Sequence, residues 1–427
     1  MFEESLMSKP SLAPLSILTA AFTLATTAEM AYAGNPGYIS ANEFNPAISL
    51  ILEGRYADYS EPFELPGFQV GGEAGVWEQG FSMGHNEFTL SANVDEYFYG
   101  MFNVAIVRED SETVVELEEA YIETLGLGQG FTIKAGQFYS GLGYLNAIHD
   151  HAQDFADVPL VYAAMFGDHL LETGIQLRWL APTDLYLEFG AEAGAGSDFP
   201  GGTSEQNNTG RTLFVKTGGD FSVSSNWQAG LSYYTAQFDV REGGGHAHGD
   251  AIADSDLEIL DGETSIPGID FVYKWAPKGN PTQRNLTIQF EYFMRDEDGE
   301  LEYADNSDPL NPLAGSATYK GDQTGYYIQA VYQWMPRWRV GLRYDHLTSD
   351  NTLTNVAGDF TPEELGEETE LVTDHDPKRS TIMVDYSPSE FTRFRVQYMK
   401  DDSGEVTDDR IYLQFIASLG SHGAHKY

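Results

Sequence analysis

The chain has 427 residues, no Cys, and 66 acidic against 23 basic side chains, for a formal charge of −43. Without Cys there is no disulfide, iron–sulfur cluster or thiol catalysis. A pI near 4.3 excludes the basic footprint that nucleic acid demands.

Lys9 precedes an apolar, small-residue stretch from Leu12 to Thr26, and Ala31-Tyr32-Ala33 fits an A-x-A cleavage site. Residues 1–33 are expected to be a secretory signal peptide, 34–45 a short periplasmic segment, and 46–427 the folded part. Past residue 45 no stretch approaches the ~20 apolar residues of a membrane helix. Instead, apolar and polar residues alternate from Ile48-Ser49-Leu50-Ile51-Leu52 to the end. In 285–294, Leu286, Ile288, Phe290, Tyr292 and Met294 form one face and Asn285, Thr287, Gln289 and Glu291 the other.

This periodicity predicts strands over 46–58, 85–94, 98–107, 113–125, 129–139, 171–180, 184–194 and 209–219. It continues over 225–238, 265–275, 284–296, 323–334, 337–348, 378–386, 391–400 and 408–419. Short connections such as Asp95-Glu96, Gly126-Leu127-Gly128, Ala181-Pro182-Thr183, Met335-Pro336 and Ser387-Pro388-Ser389 carry turn residues. They alternate with long acidic ones, among them 59–84, 140–170, 239–264, 297–322 and 349–377. Trp227, Trp275, Trp334 and Trp338 fall at strand ends, as interfacial girdles do. The expected fold is all-β: a transmembrane antiparallel up-and-down β-barrel of about 16 strands in a bacterial outer membrane, with long acidic extracellular loops. A C-terminal aromatic, Tyr427, agrees with that reading.

Leu117-Glu118-Glu119-Ala120-Tyr121-Ile122-Glu123, Ile133-Lys134-Ala135-Gly136-Gln137-Phe138 and Thr173-Gly174-Ile175-Gln176-Leu177 resemble the strand core of phosphate-selective porins of the O/P type. Phe391–Tyr398 and Leu419–Tyr427 resemble barrels grouped as zinc-regulated TonB-dependent receptors. The first resemblance implies a channel. The second implies a plugged receptor, but only 34–45 separates the expected signal from the first strand, which leaves no room for a plug domain.

A barrel of this strand number without a plug leaves a water-filled lumen. The connection 141–170 is long and apolar, with Tyr144, Leu145, Phe155, Val158, Leu160, Val161, Tyr162, Met165 and Phe166, so it is expected to fold inward as a constriction. Inward-phase charges expected to line the pore are Arg55, Glu87, Lys134, Arg178, Glu188, Glu291, Arg339, Arg343, Arg379, Arg393 and Arg395. Most of the 66 acids lie in the outer loops, giving an acidic vestibule over a mixed-charge lumen. Acidic loops equally serve solubility and cation bridging to lipopolysaccharide.

No resident cofactor is expected, though Zn²⁺ or Ca²⁺ in the loops is. His149, His151 and Asp154 are the candidate metal ligands, because imidazole with carboxylate suits Zn²⁺. His246/His248/Asp250, Asp374/His375/Asp376 and His422/His425 are lesser clusters. No H-E-x-x-H or P-loop motif occurs, so no enzyme is expected. Expected partners are outer-membrane lipids, lipopolysaccharide, small hydrophilic solutes or ions, and further copies in a homotrimer. The leading function is passive diffusion. A metal-linked uptake barrel and a structural or adhesive barrel stand as alternatives.

Overall fold

The computed structural model describes residues 46–109, 112–243, 255–308 and 310–420. The expected signal peptide, the 34–45 segment, His246, His248, His422, His425 and Tyr427 lie outside the described residues.

Among the described residues eighteen strands form one sheet: β1 Ala47–Asp58, β2 Gly80–Met83, β3 Asn86–Asn93, β4 Phe98–Glu109, β5 Glu112–Thr124 and β6 Phe131–Tyr139. They continue as β7 Leu171–Leu180, β8 Tyr186–Gly194, β9 Gly210–Ser222, β10 Ser225–Glu242, β11 Ser255–Trp275 and β12 Asn285–Asp305. The last are β13 Leu313–Met335, β14 Trp338–Ser349, β15 Thr352–Gly358, β16 Lys378–Ser389, β17 Thr392–Asp402 and β18 Asp408–Gly420. Two are accessory: β2 lies on the end of β1, and β15 pairs with β13 beyond the end of β14. The other sixteen run antiparallel, each beside its neighbour, and β1 closes on β18 from Ser49↔Gly420 to Asp58↔Ile411. Closure leaves no unpaired edge, which a chain in hydrocarbon cannot tolerate.

The alternation sorts side chains by solvent. Ile175, Leu213, Leu231, Leu342 and Val396 are each more than half exposed, and they belong to the lipid-facing belt. At the short-turn end, Trp179 stacks between Phe131 and Phe189, and Trp338 contacts Trp334 and Tyr386, forming the aromatic girdle.

The regions 239–264 and 297–322, expected as loops, are largely strand. The β12–β13 ladder runs unbroken from Asn285↔Gln333 to Asp305↔Leu313. Its outer part still has an apolar face: Phe238, Ile259, Leu301, Tyr303, Ala317 and Tyr319 form a small core with Leu365 and Leu371. Leu365 belongs to the helix α2, Pro362–Glu368, whose Thr361/Glu364 capping box satisfies its first turn. Acidic residues on the other face hid this alternation from a reading by composition.

Candidate functional site: the lumen and its constriction loop

The segment 141–170 enters the barrel. Its helix α1, Leu160–Phe166, is buried at every residue. It packs with Leu65, Phe68 and Ala74 of the 59–79 segment and with Tyr234, Ile266, Phe293, Tyr327 and Leu347 of the wall. These wall residues point inward, so the lumen carries an apolar patch that receives the helix. Burying α1 there removes surface that outer-loop solvent would otherwise wet. The two inward segments meet at glycines: Glu73 N donates to Gly167 O at 2.7 Å. Gly167 has φ 66°, and a Cβ on it would lie 2.4 Å from Gly71 O, so only glycine serves there.

Polar anchors fix the rest. Glu291 accepts from Tyr144 N (2.8 Å), Leu145 N (2.9 Å), Tyr162 Oη (3.0 Å) and Tyr327 Oη (2.6 Å). Asn146 clamps the loop base, accepting from Leu170 N and donating to Ser140 O and Leu170 O. On the β14–β16–β17 wall, Arg339 donates to Asp154 at 2.6 Å, and Arg343 and Arg379 donate to Asp157 at 2.8 and 2.7 Å. Arg393 and Arg395 donate to Gln153 O at 3.0 and 2.8 Å.

The residues expected to line the pore therefore divide. Glu87, Lys134, Arg178 and Glu188 face a chamber of about 820 Å³ roofed by residues 141–154. Arg55 and Arg379 face a second cavity of about 130 Å³ on the other side of the loop, with Glu73, His85, Asp150 and Asp168. Glu291, Arg339, Arg343, Arg393 and Arg395 do not line either space; they hold the loop in place. The alternation gives their inward direction but not the loop acids and carbonyls waiting there.

The candidate metal residues also separate. His149 and His151 lie together, ring centroids 5.9 Å apart, against the β3–β5 wall. Asp154 turns away to Arg339. Sequence reasoning missed the groups that surround the histidines instead. A register shift between Asn103 and Val104 pairs Asn103 with Glu119 and Val104 with Leu117, leaving Glu118 as the extra residue of a β-bulge. Glu118 and Glu119 consequently both point inward and are buried. Two adjacent acids interrupting an alternating strand were the available signal. His149 Nε2 lies 3.1 Å from Glu119 Oε2, and Glu87 meets both imidazoles.

Electrostatics in the loop follow from burial against these carboxylates. Burial pushes the His149 imidazole down, but Glu87, Glu118 and Glu119 outweigh it and hold it well above its usual range. Burial and the neighbouring Asp168 push Asp150 up to about 6. Burial lowers His169, yet Asp168, bonded at 2.7 Å, and Asp150 lift it to about 9. An unfolded His titrates near ~6.5. The His169 pair thus contributes stability that is fully present below ~6.5 and lost as pH rises through about 9. Thermal unfolding of the wild type is expected to move to lower temperature between pH 7 and 10. His169→Gln should flatten that dependence, and identical pH profiles for the two proteins would refute the assignment.

No family model matches the chain. A protein of Aquifex aeolicus (strain VF5), described as uncharacterized, is 29% identical over 414 residues, covering 91% of this chain and 81% of its own length. The structure is similar to the loop L8 deletion mutant of OmpT, an outer membrane protein of Vibrio cholerae, with TM-score 0.54 and 10% identity over 88% of this chain and 99% of that one. It is also similar to the outer membrane channel DcaP of Acinetobacter baumannii, with TM-score 0.50 and 13% identity over 88% of this chain and 97% of that one. At these identities the likeness is one of fold. The chain is a closed sixteen-strand antiparallel barrel of the bacterial outer-membrane type, with the architecture of the porins.

Proposed function

We propose that the protein is an outer-membrane channel for passive diffusion of small hydrophilic solutes or ions, narrowed by the 141–170 loop. The observation that carries this reading is the chamber of about 820 Å³ inside a closed barrel, lined by charged side chains of both signs and roofed by a loop that is anchored rather than free. A purely structural barrel has no use for an internal space into which Glu123, Glu188 and Arg178 all face. DcaP, with the same fold, is described as a channel, and OmpT has a trimer form. A homotrimer among lipopolysaccharide is part of the same reading.

Cation preference is the selectivity that fits best. The chamber lining carries both signs, Glu87, Glu119, Glu123, Asp154 and Glu188 with Lys134, Arg178, Lys216 and Lys274, whereas in the outer cavity Glu73, Glu78, Asp150, Asp157 and Asp168 outnumber Arg55, Arg108 and Arg379. Rings of acids favour cations, and the acidic outer segments raise their local concentration.

Refolded protein in planar bilayers is expected to give stable conductance steps in KCl, with reversal potentials of cationic sign in a salt gradient. Deleting 147–163 should raise the step size several-fold. Absence of steps would favour the structural reading, and an unchanged step size after the deletion would refute the constriction.

A further inference from the structure

The β5 bulge and the loop histidines converge on one small volume between the two cavities. Glu87 Oε2, Glu118 Oε2, His149 Nδ1 and the Asn103 side-chain amide meet there. His149 Nδ1 lies 3.4 Å from Glu87 Oε2 and 3.2 Å from Glu118 Oε2. Asn103 Nδ2 lies 3.1 Å from Glu87 Oε2, 2.7 Å from Glu118 Oε2 and 3.2 Å from His149 Nδ1. These are five of the six separations among four atoms, and the ligand atoms of Glu87, Glu118 and His149 all lie within 4.8 Å of one another. Nitrogen and oxygen ligands about 2.0–2.1 Å from a tetrahedral cation stand roughly 3.3–3.4 Å from one another. The separations of His149 Nδ1 from the two carboxylate oxygens, 3.4 and 3.2 Å, match that spacing. A half-turn of the Asn103 amide replaces its NH2 donor with Oδ1, converting the group that now ties the carboxylates together into a fourth oxygen ligand.

The surroundings match what a ligating imidazole requires. The far nitrogen of His149 is held by Glu119 at 3.1 Å, the carboxylate–histidine arrangement that orients a metal-bound ring. Tyr139 meets the same ring edge-on at 5.2 Å. The second oxygen of Glu87 is taken by His151 Nδ1, which fixes that carboxylate's plane. Asn103 and Glu87 are each 1% exposed, so this is not a solvated acidic patch. Imidazole with carboxylate and amide oxygen suits a borderline ion such as Zn²⁺ or Co²⁺ better than Ca²⁺, which takes six or more oxygens.

We propose that Glu87, Glu118 and His149, with the Asn103 amide, form a binding site for a divalent transition-metal cation in the constriction between the two cavities. The proposal deepens the channel reading, on which it rests for the route by which the ion arrives.

The test uses the refolded full-length chain in detergent, titrated with Co²⁺ for its tetrahedral visible absorption and with Zn²⁺ by calorimetry. One equivalent is expected to bind. Glu118→Gln, nearly isosteric, and His149→Ala are expected to weaken binding by ~10-fold or more, as loss of such a ligand does. His246→Ala/His248→Ala should bind as the wild type does. Heat-modifiable gel mobility verifies that each variant is folded. Lack of a Co²⁺ or Zn²⁺ equivalent on the wild type overturns the site, as does wild-type affinity in Glu118→Gln. KCl conductance of the same preparations separates the two readings. Conductance without Zn²⁺ binding removes the site and keeps the channel, and binding without conductance keeps the site and removes the channel.

Discussion

Channels carrying Asp157→Ala are expected to conduct more than the wild type, to shift toward anion selectivity, and to lose about 3 kcal/mol of stability. The Asp157 carboxylate receives Arg343 and Arg379 at 2.8 and 2.7 Å and also Gln397. Both guanidinium groups are nearly inaccessible, with side-chain exposures of 1% and 5%. Removing their shared acceptor leaves two like charges buried side by side, which is where breaking an ion pair becomes expensive. The loss falls toward the lower end because Asp345 and Asp401 still partner one guanidinium each. The freed loop would uncover a wall of arginines, and positive walls favour anions. Reversal potentials in a KCl gradient check the prediction, and an unchanged value for the variant refutes it. The wild type should show the matching acid sensitivity. Burial pushes Asp157 up, but Arg343 and Arg379 outweigh it and hold the carboxyl below its usual range. A depressed folded pKa contributes stability that is present above the unfolded value of ~3.9 and lost as pH falls through the folded one.

Glu291→Leu is expected to release the front of the same loop from its other anchor. Two backbone N–H groups and the hydroxyls of Tyr162 and Tyr327 lose their acceptor together. A buried donor left without a partner costs ~1–3 kcal/mol, and partial rearrangement of four donors still leaves about 4 kcal/mol. The segment 141–170 has no Lys or Arg, so trypsin cannot report its release, but chymotrypsin can, at Tyr162 and Phe166. Rapid chymotryptic cleavage within 141–170 is expected for Glu291→Leu and not for the wild type. Equal protection would show that the apolar contacts of α1 hold the loop unaided.

The sixteen wall strands were legible because lipid outside and polar groups inside impose period two on every one of them, as in Leu286 to Met294. The inward course of 141–170 was legible for a related reason: Leu160, Val161 and Phe166 have no favourable place in an outer loop. Other features depend on which residues meet across the lumen, and periodicity says nothing of that. Arg343 reads as a pore charge until Asp157 and Asp345 are seen against it. Asp154 reads as a ligand beside His149 and His151 until Arg339 claims it. Glu118 beside Glu119 has no inward place under strict alternation, because a bulge changes phase without changing composition.

That bulge has a hereditary consequence. Glu118 is the one residue of β5 without a partner on β4, while the neighbours on both sides of it keep their pairs: Leu117 with Val104 and Glu119 with Asn103. The pairs that β5 makes with β6 all lie beyond it, from Ala120 onward. Loss of a single codon here would close the ladder into a regular one and leave every other side chain facing as before. The barrel would keep its shape and forfeit one buried carboxylate. A lineage can thus change the charge beside the inward loop by a length variation of one amino acid, with no compensating change elsewhere in the wall.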